Sequence, residues 1–546
     1  MSKKKYIIGS LIIISVLLTA LIQVEDRYFL IAKNIDTFAS LFREVDKFYV
    51  DETDPEELLN VAVDGMLESL DPYTNYIPQK EVESFRTTTT GEYAGIGAQI
   101  SSLDSGIYIS MLYEGFAAHR AGLKVGDRIV KINEELVKNA TVEKISNLLK
   151  GRPRTGAEIK ALRVGNKDTL SFTVQREKIK VNNVPYYGMV DDHVGYIYLE
   201  DFTSGAGKEV EEALKNLKSI GAKSLILDLR NNPGGLLSEA VNVTNVFIPK
   251  NKLVVETKGK IEEWNRKYKT LNNSIDEDIP LAVLINGESA SASEIVAGVI
   301  QDYDRGILVG GQTFGKGLVQ TTRPLSYGGQ VKITTAKYYI PSGRCIQALD
   351  YVHRDENGEA VKTPDSLKLE FRTRAGRIVY DGGGLKPDVK VKGDTYSAIT
   401  IELISEAFIF HYANKYVSQN TGKQDYILSE EEYTKFREWI DNMKLQYSTN
   451  VEDELNELIA NSKNEKYFND IKSDIQKLKS DVGLNKNRDI IIHKNQIKKE
   501  LEKEIALRNE LGKGAIKRAI VDDQVILTAK SRLQNPDKYN YTLTKK

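Results

Sequence analysis

Apolar and polar positions change their period several times along this chain, and each change marks a boundary. From Tyr6 to Val24 the run is apolar apart from small polar residues and Gln23; Lys3, Lys4 and Lys5 precede it and Glu25, Asp26 and Arg27 end it. Its length is close to the roughly 20 residues a helix needs to cross a bilayer. The positive flank stays in the cytoplasm and sends the remaining chain across. We expect an uncleaved membrane anchor over 1–26, with a cleaved signal peptide as the alternative. Residues 27–90 read as mostly helical. Ile35 to Tyr49 carries spaced apolar positions, and a second helix runs from about Pro55 to Leu70, with Asp54 as N-cap and Pro55 at the first position.

At Gly91 the pattern shortens to strands separated by glycine turns. Gln99-Ile100 and Ile107 to Ile109 read as strands, as do segments near Glu158–Val164 and Thr169–Gln175, with a helix at Val142–Lys150. The turn Gly95-Ile96-Gly97-Ala98 and the run Gly122-Leu123, Gly126-Asp127, Ile129 stand among them. This order over 91–178 resembles a PDZ domain. The resemblance places a carboxylate-binding loop at Gly95, Ile96, Gly97 and Ala98, where successive backbone N–H groups form a nest for a peptide C-terminus.

Over 179–395 strand and helix alternate. Ser224 to Leu229, Leu281–Ile285 and Ile307 to Val309 are continuously apolar, as in strands covered on both faces. Ala206 to Lys218 is an amphipathic helix, and Gln330–Tyr339 is a strand before the turn Pro341-Ser-Gly343. The fold class is therefore α/β (α+β), with a mostly buried sheet. From 396 to 546 the chain turns Lys-, Glu- and Asn-rich with helical periodicity, notably at Glu430–Met443, Val451–Ala460 and Asn495–Glu510. Its charged runs are read as solvated helix faces, on an appendage that packs on the core or supports an oligomer.

Charge and composition narrow the chemistry. Lys and Arg total 76 against 77 Asp and Glu, so no global field points to nucleic acid, and no such partner is expected. Cys345 is the only cysteine, which removes any internal disulfide framework. The five histidines, at 119, 193, 353, 411 and 493, have no metal-ligand spacing. Neither metal nor cofactor is expected.

A hydroxyl nucleophile in such a chain needs a base other than histidine. Ser291-Ala-Ser-Glu294 fits a capping box, with Ser291 at N-cap and Glu294 at N3. The same strand-to-helix junction also exposes a serine at free helix N–H groups. Lys316 stands between Gly315 and Gly317, and Phe314, Leu318 and Val319 offer apolar surface. A lysine acting as base must fall from about 10.4 to roughly 7–8, about 3–4 kcal/mol of differential stabilisation at 1.36 per unit. Burial supplies shifts of that size. Gln320, four residues on, is placed to orient the amine without adding charge. A third element, Leu227-Asp-Leu-Arg-Asn-Asn-Pro-Gly-Gly235, ends a strand in an exposed backbone turn. One of its N–H groups, with that of Ala292, would make an oxyanion hole.

Together, Leu-Asp-Leu-Arg-Asn-Asn-Pro-Gly-Gly235, Ser289-Ala-Ser-Ala-Ser-Glu-Ile295, Thr313-Phe-Gly-Lys-Gly317 and Thr334-Thr-Ala-Lys-Tyr-Tyr339 with Pro341-Ser-Gly-Arg344 resemble the C-terminal processing peptidases, or tail-specific proteases, over about 35–395. The resemblance implies a crotonase-like core with an inserted PDZ domain. It makes Ser291 the nucleophile, Lys316 the base and Gln320 the residue that orients it, with Ala292 and Gly234 or Gly235 as oxyanion donors. The expected activity is that of an exported, membrane-tethered serine endopeptidase acting on proteins with free, apolar C-termini at the periplasmic or outer face of the membrane. The alternative is a tethered PDZ scaffold that binds C-termini without cutting.

Overall fold

The computed structural model describes residues 27–544 except 105, 139, 394, 421, 423–425, 444 and 487. The expected anchor, 1–26, lies outside the described residues, and within them no helix is long and apolar enough to cross a membrane. The chain divides into two units: residues 1–77 with 322–333, and residues 78–321 with 334–546.

In the first unit residues 27–48 are helical. The next helix, Pro55–Glu68, starts as its sequence predicts: the Asp54 carboxylate accepts the N–H groups of Glu56 at 2.8 Å and Glu57 at 3.3 Å, satisfying donors that have no intrahelical partner. The break that follows is built by Asp71, which accepts from the backbone of Tyr73 and of Thr74, both at 2.9 Å. The helical reading of this region missed the strand Asn75–Ile77, which pairs antiparallel with residues 330–332. Three residues are too short to display a period.

In the second unit, the strand Glu92–Gly95 pairs antiparallel with Glu177–Lys180, so the two ends of the glycine-rich segment are fastened to each other. Between them lies an antiparallel sheet in the order Ala98–Leu103, Gly106–Leu112, Arg128–Ile132, Gly156–Leu162, Leu170–Gln175, with Glu135–Leu136 added beside the third strand. Ala157, Ile159 and Ala161 are wholly buried while their neighbours face water, the period of two expected of a half-covered strand. The helix Val142–Leu149, capped by Thr141, turns Ile145 and Leu149 into the same core. Ala98–Leu103 is left at the sheet edge. The Gly126-Asp127 turn is held by Arg163, whose Nε and Nη2 each reach the Asp127 carboxylate at 2.7 Å.

The larger core is a six-stranded sheet, Tyr186–Met189, Val194–Tyr198, Ser224–Asp228, Leu281–Ile285, Ile307–Gly310, Val389–Lys390; its first pair is antiparallel and the others are parallel. Ser224–Asp228, Leu281–Ile285 and Ile307–Gly310 are buried at every position. Leu225, Leu227, Leu281, Val283 and Ile285 face the helices Ala206–Ser219, Leu237–Phe247 and Ala292–Asp302. The alternate residues Ile226, Ala282, Leu284, Ile307 and Val309 face the other way, against Val525, Ile526, Ala529, Leu533 and Tyr539. The C-terminal helices Gln524–Leu533 and Pro536–Thr544 thus form the second cover of the sheet. The tail therefore packs on the core, one of the two roles expected of it; without these helices a wholly apolar strand face would meet water, at roughly 1.5–3 kcal/mol per large side chain.

Helices Ala398–Ser405, Phe408–Gln419, Glu430–Met443 and Lys494–Ala519 build a further core of their own, in which Leu403, Tyr412, Phe436, Leu501 and Ile505 meet. This helical region also touches the glycine-rich segment. Leu507 joins that segment's core, and Phe410 packs edge-on to Tyr108 at 5.6 Å between ring centres.

Candidate active site

Ser291 stands where the buried strand Leu281–Ile285 turns into the helix Ala292–Asp302. Its backbone is at φ 55°, ψ −112°, outside the extended conformation of an ordinary N-cap and at a cost on the order of 1–3 kcal/mol. The surrounding bonds hold that geometry. Ser289 Oγ accepts from Asn286 N at 3.0 Å and donates to Leu229 O at 2.8 Å. Ala290 N donates to Asn232 O at 3.1 Å, and Ser293 Oγ donates to the same oxygen at 2.9 Å. Ser289 and Ser293 are wholly buried and committed to main-chain carbonyls, whereas Ser291 is half-buried. Of the three serines, burial and hydrogen bonding single out Ser291.

Glu294 does more than cap. Its carboxylate is wholly buried. One oxygen accepts from Thr313 Oγ1 at 2.6 Å and Gly315 N at 2.8 Å. The other accepts from Ser291 N at 2.9 Å and Lys316 N at 2.9 Å. A single oxygen therefore ties together the backbones of the two residues named as nucleophile and base. Burial pushes this carboxyl up to about 7, against the opposing pull of the hydrogen bonds from Thr313, Lys316, Gly315 and Ser291.

Lys316 is half-buried. The glycines beside it are demanded by close approach: a Cβ on Gly315, at φ 90°, would lie 2.5 Å from Ala348 Cβ, and one on Gly317 would lie 2.8 Å from Gln347 N. Of the apolar surface expected around the lysine, Leu318 is buried and Val319 packs against the core, but Phe314 is 48% exposed and turns away from that role. Gln320 donates from Nε2 to Thr334 Oγ1 at 3.1 Å, across the strands Leu318–Pro324 and Gln330–Tyr339.

The loop after Ser224–Asp228 lies against this junction. A Cβ on Gly234, at φ 101°, would sit 2.8 Å from both Ser291 Cβ and Ala292 N. The N–H of Gly234 is spent on Asn232 Oδ1 at 2.9 Å, which removes it as an oxyanion donor in this arrangement. Gly235 differs. It forms an isolated parallel bridge with Phe202 whose bonds run from Phe202 N to Gly234 O and from Leu236 N to Phe202 O, so the Gly235 N–H takes no part in them. A Cβ on Gly235 would meet Phe202 O at 2.6 Å rather than the Ser291 junction.

In the glycine-rich segment, Gly95 ends one strand and Ala98 begins the next. Ile96 is buried, and Gly97 is at φ 78°. The loop is braced by Ala118 N to Ile96 O at 2.8 Å and Tyr113 N to Gly97 O at 3.0 Å. A Cβ on Gly97 would meet Phe116 at 2.4 Å.

The model of peptidase family S41 matches residues 193–356, that of the PDZ domain residues 85–160, and that of the probable PDZ-protease C-terminal helical domain residues 399–533. The carboxy-terminal-processing protease of Bartonella bacilliformis is 35% identical over 321 residues, 58% of this chain and 73% of its own. The chain belongs to the S41 peptidases. The carboxy-terminal processing protease CtpA of Bacillus subtilis is similar too, 33% identical over 361 residues, 65% of this chain and 74% of its own. Among solved structures, the photosystem II D1 C-terminal processing protease aligns with 65% of this chain and 92% of its own at 27% identity and a TM-score of 0.35. This S41 member is a C-terminal processing serine protease with a PDZ domain and a C-terminal helical domain.

Proposed function

We propose that Ser291 is the nucleophile and Lys316 the general base of this peptidase. The observation that carries the assignment is the Glu294 oxygen that accepts from the N–H groups of both residues. Neutral Lys316 takes the proton of Ser291 Oγ as that oxygen attacks a peptide carbonyl. The tetrahedral oxyanion rests on the N–H groups of Ala292 and Gly235. Lys316 then protonates the leaving amine, and water attacks the acyl-enzyme with Lys316 again as base. Gln320 orients the lysine from the neighbouring strand. The strain at Ser291 supports the reading, because such conformations persist only where surrounding bonds over-determine them.

The substrate arrives by its tail. A free, apolar C-terminus seats its carboxylate at Gly95, Ile96, Gly97 and Ala98 and adds as a strand to the open edge of Ala98–Leu103. We read the core as crotonase-like with the PDZ inserted, a reading supported by the pairing of Glu92–Gly95 with Glu177–Lys180. Residues 1–26 export the enzyme and tether it to the membrane. The test is turnover of an unfolded protein with an accessible apolar C-terminus. Ser291→Ala and Lys316→Ala are each expected to fall to background, and a wild-type rate from either sinks the dyad.

A further inference from the structure

The C-terminal helical domain reaches the edge of the oxyanion loop through one ion pair. Arg230 directly precedes that loop. Its guanidinium takes Asp228 with Nε at 2.9 Å and Nη2 at 2.6 Å, and takes Asp523 with Nη1 at 2.7 Å. Asp228 is further held by Tyr196 OH at 2.8 Å. Asp523 is the N-cap of Gln524–Leu533 and accepts from Val525 N at 2.9 Å and Ile526 N at 3.0 Å. Val525 and Ile526 are buried against the sheet, so the cap is planted on a rigid support.

From Arg230 the loop is stitched residue by residue. Asn231, at φ 61°, donates from its backbone to Asn286 Oδ1 at 3.0 Å, and Asn286 Nδ2 returns a bond to Asn231 Oδ1 at 2.6 Å. Asn232 Nδ2 reaches Leu199 O at 2.7 Å. On the side toward the helical domain, Asn231 and Asn286 line a cleft of about 890 Å³ together with Gln496, Lys499 and Asp523. Arg230 and Asp523 line the same cleft.

We infer that Asp523 is a positioning residue for the peptidase reaction: through Arg230 it holds the oxyanion loop in register with Ser291. This rests on the reading of Gly235 and Ala292 as oxyanion donors. The cluster holds one cation and two carboxylates, so its net charge opposes an oxyanion; what Asp523 contributes is geometry. A side chain 293 positions from Arg230 thus makes the helical domain part of the catalytic apparatus.

The test separates the cap from the ion pair. Serine caps a helix about as well as aspartate, so Asp523→Ser in the full-length enzyme keeps the helix start and loses the link to Arg230. Expected are a kcat lower by about tenfold, short of the roughly 10²–10³ lost with a whole oxyanion donor, and an unchanged KM. The affinity for a peptide boronic acid, whose tetrahedral adduct places an oxygen in the hole, falls by the same factor. Asp523→Glu recovers part of both, and the thermal midpoint of Asp523→Ser matches wild type. Wild-type kcat and boronate affinity in Asp523→Ser overturn the inference. So does a fall in kcat that follows a lowered thermal midpoint with boronate affinity intact, since that is a purely structural role. Ser291→Ala runs in the same assay: activity there removes the underlying reading, whereas its loss beside a fully active Asp523→Ser removes only the inference.

Discussion

The two loops that meet at Ser291 are held by opposite means. The lysine loop, 313–317, is tied to the serine by one wholly buried carboxylate three residues away, whose partners are backbone N–H groups and a hydroxyl. The loop is also braced by Phe314 N to Ser289 O and Gly317 N to Gln347 Oε1. The loop proposed to hold the oxyanion, 231–235, is stitched locally by Asn231 and Asn232 and is preceded by Arg230, whose ion pair reaches a different domain. A local tether fixes the distance between the two residues proposed as nucleophile and base and tolerates little change. A remote tether links the proposed oxyanion donors to the helical domain. The same helical domain also packs on the PDZ core through Leu507.

The largest effect is expected where the loops touch. Gly234→Ala drives a Cβ to within 2.8 Å of Ser291 Cβ and Ala292 N from a left-handed backbone. Its kcat should fall by roughly 10²-fold or more, the scale of a lost oxyanion donor, with the far-ultraviolet circular dichroism unchanged. Gly235→Ala meets Phe202 O at 2.6 Å instead. An active Gly235→Ala beside a dead Gly234→Ala would show that the close approach of Gly234 to Ser291 is the indispensable one.

Next comes the local tether. Glu294→Gln replaces two of four acceptor contacts by an N–H₂ group facing donors, at about 1–3 kcal/mol for each buried group left unsatisfied. Steady-state kinetics should show kcat reduced on the order of tenfold to a hundredfold, and urea unfolding a lower midpoint. The same variant carries a pH signature. The carboxyl is raised from 4.5 to about 7, so between those values the native state binds a proton that the unfolded state releases. The group's contribution to stability is full below 4.5 and is lost as pH rises through 7, on the order of 3 kcal/mol in all. Unfolding at a series of pH values should show this decline in wild type and a shallower one in Glu294→Gln; equal slopes would place the proton elsewhere.

The smallest effect on rate is expected from loosening the platform of the remote tether. Leu533 is buried against the sheet, and Leu533→Ala should cost about 2–5 kcal/mol of stability. The rate per folded molecule should fall severalfold, less than in Asp523→Ser. A drop as large as that of Glu294→Gln would mean that both loops depend on the helical domain, and the contrast between them would fail.

Elements with strong periods were legible. Leu281–Ile285, Gln330–Tyr339 and Glu430–Met443 fall where their patterns put them, and the apolar runs at Ser224–Asp228 and Ile307–Gly310 announced a sheet covered on both faces. The identity of the second cover was not legible. Gln524–Leu533 buries Val525, Ile526, Ala529 and Leu533 within a charged tail, and nothing local says which sheet that stripe will meet. The serine was open to two readings, because a capping box and a nucleophile turn share Ser-x-x-Glu. The structure keeps the capping contact from Ser291 N to Glu294. The backbone strain at Ser291, with the buried hydroxyls of Ser289 and Ser293, supports the proposed nucleophile.

Residue order alone determined the chemistry on offer: a serine at a strand–helix junction, a lysine between glycines 25 positions later, a glycine turn and a carboxylate-binding loop, because each is a pattern written within a few neighbouring residues. Tertiary structure decided how they are used. Gly234 loses its N–H to Asn232, Glu294 caps and also bridges Ser291 to Lys316, and Arg230 finds Asp523 across 293 positions. Such choices depend on which donors and acceptors folding brings within about 3 Å, and contacts between distant positions have no period from which to read them.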